Sequence, residues 1–231
     1  MLHIMTPLER RLEAVEERIA AACRRAGRAR TDVKLVAVTK TVSVEIARQM
    51  VDAGVCELGE SRPQELWKKA ANLSAGVHWH LIGHLQRNKV EKTLPLVTMI
   101  HSVDSWRLLE ALEQEALRCS QTIEVLLECN ASGEAAKHGL AIADVPKLMP
   151  QLAQLRQVRV AGLMTMAALE AEPEICRPTF AALRRLRDQL RNDVPPPHRM
   201  EHLSMGMSND FEVAIEEGAT LIRLGTVLFQ A

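Results

Sequence analysis

Hydrophobic and polar positions alternate along the chain in two rhythms. Near the N-terminus Leu8, Leu12, Val15 and Ile19 recur every three or four residues, which predicts a long helix that ends near Gly27. Beyond it, short runs rich in β-branched residues alternate with helical patterns. These runs predict eight strands, at residues 33–40, 55–59, 77–83, 98–103, 122–130, 158–164, 199–205 and 220–225.

This repeat predicts an α/β fold. Each predicted strand except the last is clearly followed by a helical pattern, and no low-complexity linker interrupts the series. Eight right-handed βα units favour a closed (β/α)8 barrel of the TIM type. We expect one domain over residues 1–231, with an extra helix at about 6–27 and the barrel at about 33–229. An open Rossmann-like sheet is the main alternative, but no GxGxxG segment follows the first strand.

Composition narrows the functional class. The 29 Lys and Arg residues balance 29 Asp and Glu residues, so the chain lacks the basic excess of a nucleic-acid or membrane-surface binder. No apolar run is long enough to span a membrane, and the N-terminus becomes charged too early for a signal peptide. We therefore expect a cytoplasmic protein. The five cysteines are scattered and form no CxxC pair, which argues against disulfides and a structural zinc site.

A lysine ends the first predicted strand. In barrels of this type the chemistry lies at the carboxyl ends of the strands, so the Lys40 amine is expected at the barrel mouth. A desolvated lysine has a lowered pKa and can form a Schiff base. The alternative is that Lys40 simply extends to water.

Two segments near the C-terminus predict a phosphate site. Ser208 follows the seventh predicted strand, where Asn209 and Glu212 have the spacing of a helix cap. Arg223, Gly225 and Thr226 end the eighth strand. The loops after strands seven and eight commonly hold a phosphate in such barrels. As an alternative, the glycines serve turns and Ser208 only caps a helix.

Other polar residues near strand ends are weaker candidates. His78, His80 and His84 make a zinc site conceivable, but no further type of zinc ligand lies at a convincing spacing. Solvated or core histidines remain the alternative. Met164 either packs against a planar ring or fills the core. Lys137 lies in a polar loop after strand five, which is either a lid or an ordinary connection.

A lysine, a phosphate cradle and an arginine together match the needs of pyridoxal phosphate (PLP). The cofactor requires an amine for its aldehyde, anion donors for its phosphate and a partner for its ring nitrogen. Each need is met by a separate segment of the chain.

Seven segments in order carry a family resemblance: LVAVTK (35–40), GE with QE (59–60 and 64–65), WHLIGHLQRNK (79–89), the loop with Lys137 and Gly139, GLMTM (162–166), LSMGMSND (203–210) and IRLGTVLF (222–229). The chain resembles the pyridoxal phosphate homeostasis protein family, also called proline synthetase co-transcribed homologues. These proteins are single barrels of PLP fold type III, similar to the N-terminal domain of alanine racemase.

The resemblance implies specific roles and a function. It implies that Lys40 carries PLP as an internal aldimine, that Ser208, Gly225 and Thr226 hold the phosphate, and that Arg223 faces the pyridine nitrogen. It further implies a protein that binds, buffers and delivers PLP, with apo PLP-dependent enzymes as possible partners and no dedicated turnover. Such proteins are monomers or weak dimers.

Some positions depart from the family pattern. Ser61-Arg62 stand where the family usually has Asn-Tyr, His84 stands where proline is common, and Gln230-Ala231 replace a glycine-containing tail. Ser61 is nevertheless kept as a cofactor contact, together with His80 and Met164.

Two enzyme classes remain as alternatives. A PLP-dependent racemase or decarboxylase is one, but a racemase of this type needs a second acid or base, generally a tyrosine from a further domain. The chain contains no tyrosine, and its 231 residues are filled by the barrel. The other alternative is a cofactor-free isomerase or aldolase, in which Lys40 forms a Schiff base with a phosphorylated substrate.

Overall fold

Eight parallel strands follow one another around a closed ring in the computed structural model, which describes residues 5–73, 76–133, 138–168 and 172–230. The ring order is β1-β2-β3-β4-β5-β7-β8-β9, and β9 pairs with β1 to close it. The strands are β1 Lys34–Val38, β2 Glu57–Glu60, β3 His78–Leu81, β4 Met99–Val103, β5 Ile123–Asn130, β6 Leu140–Ala141, β7 Val158–Met164, β8 His202–Ser204 and β9 Leu221–Leu224. The predicted (β/α)8 barrel is therefore confirmed.

Helices connect successive strands on the outside of the ring. They are α1 Pro7–Arg25, α2 Val44–Asp52, α3 Pro63–Ala70, α4 Val90–Thr93, α5 Trp106–Arg118, α6 Val145–Leu152, α7 Pro173–Leu190, α8 Phe211–Glu216 and α9 Thr226–Phe229. The Thr6 hydroxyl accepts a hydrogen bond from the Glu9 amide while Glu9 accepts from the Thr6 amide, so a capping box begins α1. No helix in the described part of the chain is both long and apolar enough to cross a bilayer.

Alternation along each strand separates two layers of core. On β1, Leu35 and Ala37 belong to the large apolar layer between strands and helices, whereas Val36 belongs to a small cluster inside the ring. The inner cluster contains Val36, Met99, Leu126, Ala161, Met164 and Leu221. Because side chains alternate across a strand, Lys34, Val38 and Lys40 share the inner side with Val36. This period of two aims Lys40 at the mouth of the barrel.

Helix α1 packs against the last units of the barrel. Arg25 pairs with Glu216 at 2.6 Å, and Arg18 pairs with Glu212 at 2.7 Å. The Arg11 Nε group donates to the Leu228 carbonyl at 2.8 Å. The extra helix therefore holds α8 and α9, the two helices that follow the predicted phosphate loops.

Most predicted strand boundaries differ from the structure by one or two residues, and the remaining differences are larger or of another kind. Strand β8 covers only 202–204 of the predicted 199–205, and a two-residue strand, β6, adds to the edge of β5. Helix α8 begins after Asp210 rather than Asn209, and its N-cap side chain makes no capping hydrogen bond to the helix. The Asp210 carboxylate instead accepts from the Met207 amide at 2.5 Å, which closes the loop before the helix.

Candidate functional site

A cavity of about 290 Å³ opens at the carboxyl ends of the strands, as expected for this fold. Six of the eight residues that the sequence proposed as cofactor contacts line it: Lys40, Ser61, Ser208, Arg223, Gly225 and Thr226. These residues come from four separate parts of the chain, at the ends of β1, β2, β8 and β9. The ring of strands therefore gathers them into one site.

Lys40 follows β1 and lines the cavity from its inner side. The residue is exposed, so of the two possibilities that the sequence left open, a desolvated amine and an amine that extends to water, the structure has the exposed one. Within the described residues no carboxylate lies in ion-pair distance of Lys40. The amine is accessible to a ligand in the cavity, and it is not engaged by a neighbouring acid.

A buried ion pair fixes the backbone just before Lys40. Lys69 on α3 donates to Glu60 Oε1 and to the Thr39 carbonyl, each at 2.5 Å, and the Thr39 hydroxyl donates to the same Glu60 oxygen at 2.6 Å. All three residues are buried. Sequence reasoning did not find this group, although Thr39 and Glu60 belong to segments with the family pattern. It holds the peptide that precedes Lys40 against β2 and α3.

The two predicted phosphate loops are joined to each other. The Ser208 hydroxyl accepts from the Gly225 amide at 3.4 Å and from the Val227 amide at 3.3 Å. A Cβ atom at Gly225 would lie 3.3 Å from the Val38 carbonyl oxygen, so this position packs tightly against β1. Gly206 has φ +92°, and a Cβ atom there would lie 2.6 Å from the Ala214 Cβ. Gly206 is therefore required by the local backbone, whereas Gly225 is limited only by its tight packing against Val38.

Arg223 forms a buried wall of the cavity. Its Nη1 group donates to the Ser204 hydroxyl at 2.5 Å and its Nη2 group donates to the Thr165 carbonyl at 3.0 Å. Burial lowers the pKa of Arg223 to about 10, against the opposing charges of Asp210 and Glu128, so the guanidinium stays charged at neutral pH. These bonds use two of its five N–H groups, which leaves donors for a ligand.

The ends of β2 and β3 approach closely at the opposite wall. Ser61 and Gly83 both line the cavity, and a Cβ atom at Gly83 would lie only 2.2 Å from the Ser61 carbonyl oxygen. Any other residue at position 83 would force the two backbones apart. The replacement of the family's usual asparagine by Ser61 therefore occurs at a rigid part of the cavity wall.

Two candidates do not line the cavity. Met164 is fully buried in the inner apolar cluster, and Met166, two residues later, lines the cavity instead. His80 is 2% exposed inside the ring, where it hydrogen-bonds to Glu57 and His101. A ring contact by Met164 and a direct cofactor contact by His80 stay predictions.

Further polar side chains gather at the mouth beside the cavity. His84 lies 3.4 Å from Asp104 and stacks on His138. Burial raises the pKa of the nearby Glu128, and Asp104 raises it further. In the described ranges no three His, Cys, Asp or Glu residues form a metal site. Lys137 lies outside the described residues.

Comparison with known proteins agrees with this geometry. Residues 11–231 match the family model for the alanine racemase N-terminal domain. The chain is 43% identical over 220 residues to a protein of Aquifex aeolicus named pyridoxal phosphate homeostasis protein, with 95% of this chain and 96% of the relative covered.

Solved structures match over nearly the whole chain as well. The structure of an unknown protein from Bifidobacterium adolescentis has a TM-score of 0.90 and 37% identity, covering 98% of both chains. The structure of PipY from Synechococcus elongatus with PLP bound has a TM-score of 0.81 and 37% identity, covering 93% of this chain and 99% of PipY.

Proposed function

The chain belongs to the pyridoxal phosphate homeostasis protein family, within the alanine racemase N-terminal domain fold, and from this premise we propose that it binds, buffers and delivers PLP. One observation carries the proposal. The cavity at the strand ends combines an accessible lysine, a serine joined to two backbone amides and a charged arginine, in a chain 37% identical to a protein crystallised with PLP. We place this activity in the cytoplasm, where its five free cysteines stay reduced.

The residues of the cavity fit the chemical groups of PLP. The phosphate would lie at Ser208, Gly225 and Thr226, where hydroxyls and backbone amides are available and Gly225 leaves room for close approach. Arg223 would donate to the pyridine nitrogen with an N–H that Ser204 and Thr165 do not use. Ser61 and Thr226 supply further hydroxyls at the wall.

Lys40 would attach the cofactor covalently. Its Nζ would be the amine that condenses with the aldehyde group of PLP, with loss of one water. The exposure of Lys40 supports reversible attachment, because water or a competing amine can reach the bond and reverse the condensation. The buried Glu60 and Lys69 keep the backbone beneath it in place, so PLP can leave without a large rearrangement.

Two features of the chain favour a PLP carrier over a PLP-dependent enzyme. A guanidinium at the ring nitrogen disfavours protonation of that nitrogen, and this weakens the cofactor as an electron sink. The chain also has no tyrosine to serve as a second acid or base. Both features support binding and release of PLP over a dedicated turnover reaction.

Absorbance with chemical trapping tests the proposal. The purified protein mixed with PLP is expected to show a visible band, and borohydride is expected to fix the cofactor on the peptide that contains Lys40. Lys40→Arg keeps the positive charge but cannot form the Schiff base under these conditions, so it is the matched control for Lys40→Ala. A visible band that survives unchanged in both variants refutes the covalent assignment.

A second experiment addresses delivery. An apo PLP-dependent enzyme is mixed with the loaded protein, and its activation rate is compared with the dissociation rate of PLP measured alone. Activation faster than dissociation supports direct transfer. Equal rates mean that this protein acts only as a buffer.

A racemase-like activity is the alternative function, because the matching family model describes the N-terminal domain of alanine racemase, whereas the relative that matches nearly the whole chain is named a homeostasis protein. An assay of α-proton exchange by amino acids in deuterated water separates the two functions. We expect no exchange above that of free PLP. Saturable exchange that disappears in Lys40→Ala would establish an enzyme.

A further inference from the structure

A line of polar side chains crosses the interior of the barrel. Glu57 Oε2 lies 2.6 Å from His80 Nε2, His80 Nδ1 lies 2.8 Å from His101 Nε2, and His101 Nδ1 lies 2.8 Å from the Ser204 hydroxyl. Ser204 in turn accepts from Arg223. We call these five residues the polar chain. It begins near the amino end of β2 and ends at the wall of the cavity.

The polar chain joins opposite sides of the ring. Its first three members are on the neighbouring strands β2, β3 and β4, and its last two are on the neighbouring strands β8 and β9. Strands β5 and β7 separate β4 from β8 along the sheet, so the bond from His101 to Ser204 crosses the interior. The side chains around it form the small apolar cluster inside the ring.

Burial makes each bond of the polar chain necessary. His101 and Ser204 are fully buried, His80 is 2% exposed and Arg223 is 4% exposed. A buried polar group without a partner is costly, and each of these groups has a partner on both sides. The hydrogen bonds of the polar chain are therefore continuous from Glu57 to Arg223.

With both histidine rings neutral, the two ends set one direction for every bond between them. Arg223 can only donate, and an ionised Glu57 can only accept. Burial raises the pKa of Glu57, but its hydrogen bonds with His80, Lys34 and His78 outweigh burial and lower the pKa to about 2. Glu57 is therefore ionised at neutral pH.

The tautomers of both histidines follow from these ends. His80 must carry its proton on Nε2 to donate to Glu57, so in the neutral ring Nδ1 accepts. His101 must then carry its proton on Nε2, and its Nδ1 accepts from the Ser204 hydroxyl. Burial lowers the pKa of His101 well below its usual value, so a neutral ring is expected.

We propose that His80, His101 and Ser204 are positioning residues for Arg223, and that they transmit the charge of Glu57 through a hydrogen-bond chain of single direction to the cavity wall. Ser204 accepts from Nη1 because its own proton is directed to His101. This arrangement holds the guanidinium in one orientation, with its remaining N–H groups toward the ligand. Only the identity of that ligand rests on the proposed function.

Nitrogen NMR of the ligand-free protein tests the polar chain without PLP. With ¹⁵N-labelled histidine, His80 and His101 are both expected as neutral Nε2–H tautomers at neutral pH. Glu57→Gln replaces a pure acceptor by an amide that can donate or accept, so both rings are expected to lose the single tautomer. Glu124→Gln is the matched control, because Glu124 lies near the same end of the barrel but pairs with Arg199.

Outcomes against the proposal are specific. A protonated Nδ1 on His101 in the wild-type protein would overturn it, and so would a His101 signal that Glu57→Gln leaves unchanged. If Glu57→Gln does not fold, as judged by circular dichroism, Ser204→Ala takes its place. That variant is expected to move the His101 Nδ1 signal, because it removes the hydroxyl donor, and an unmoved signal would be equally decisive.

PLP binding supplies the second readout. Glu57→Gln is expected to weaken PLP binding about five-fold, the effect of roughly one hydrogen bond, and to shift the visible band, whereas Glu124→Gln leaves both unchanged. If the wild-type protein binds no PLP, the proposed function is wrong. The NMR result still tests the proposed direction of the hydrogen bonds in the polar chain. If PLP binds and both variants match the wild type in PLP affinity, visible spectrum and histidine tautomers, the proposal about the polar chain is wrong and the proposed function stands.

Discussion

The two ends of the barrel interior treat charged side chains differently. At the amino end, Glu57 pairs with Lys34 at 3.0 Å and with His78 at 3.2 Å, and Arg199 pairs with Glu124. At the carboxyl end, Lys40 and Arg223 both line the cavity, and in the described residues neither forms an ion pair with a carboxylate. The charges at the amino end are paired with each other, whereas Lys40 and Arg223 at the carboxyl end remain available to an anionic ligand.

The β1 segment carries a lysine at each end of the barrel. Lys34 and Lys40 both belong to the inner side of the β1 segment, and among the residues that the structure describes only Lys34 has an acidic ion-pair partner. This difference shows that the residue type alone does not determine whether a lysine can bind a ligand. Its position relative to the strand direction, and the absence of a competing acid, decide the role.

The largest expected effect separates these two lysines. Lys40→Ala is expected to lose all covalently bound PLP, because no other amine lines the cavity in the described residues. Lys34→Ala is expected to retain it, since Lys34 lies at the other end of the strand. Mass spectrometry after borohydride reduction measures both, and a PLP adduct on Lys40→Ala at the wild-type level would remove the distinction between the two ends.

The next effect concerns stability near the cavity. Lys69→Met leaves Glu60 buried without its cation and is expected to lower the free energy of unfolding by about 3–5 kcal/mol. Lys34→Met, which breaks a partly exposed pair, is expected to cost about 1 kcal/mol or less. Urea denaturation of the two variants measures the contrast. Equal losses would show that burial does not distinguish these pairs.

A smaller effect is expected at the phosphate loops. Ser208→Ala removes the hydroxyl that joins the Gly225 and Val227 amides, and it is expected to speed PLP release about five-fold, the effect of roughly one hydrogen bond. Release is followed by trapping free PLP with an apo-enzyme. Ser43→Ala, which removes the cap of α2, is the control for a general loss of stability. A release rate equal to that of this control would argue against the cradle.

The smallest effect is the acid dependence contributed by the amino end. The folded-state pKa of Glu57 lies at about 2, below the ordinary value of 4.5, so its contribution to stability is present above pH 4.5 and is lost as the pH falls toward 2. Glu57→Gln is expected to flatten this part of the stability curve. Thermal unfolding between pH 5 and pH 2 measures it, with Glu124→Gln as the variant that should retain the wild-type slope.

Much of the site could be predicted because strand ends are visible in a sequence. Lys40 follows an apolar run, and Arg223 and Gly225 end another, so the rule that barrels bind ligands at the carboxyl ends of strands was sufficient to bring them together. The exposure of Lys40 was the one property of this residue that the sequence left open. Exposure depends on the loops that surround the mouth, and their path does not follow from hydrophobic periodicity.

The polar chain was missed, although a signal exists. His101 and Ser204 are polar residues within otherwise buried strands, at positions that alternation places inside the ring. Sequence spacing could not join them, because 103 residues separate the two partners of that bond. Met164 shows the same limit, since the choice between Met164 and Met166 as cavity lining depends on where β7 ends.

The sequence by itself determined the barrel, the inner side of each strand and the types of residue that reach its mouth. These properties are periodic or local, and they follow from the alternation of side chains and from turn chemistry. Only the tertiary structure decided which charges are neutralised and which remain free, because that depends on partners brought together when the ring closes. Closing the ring pairs Lys34 with Glu57, seats Lys69 against Glu60 and connects His101 to Ser204, while it leaves Lys40 and Arg223 facing the cavity.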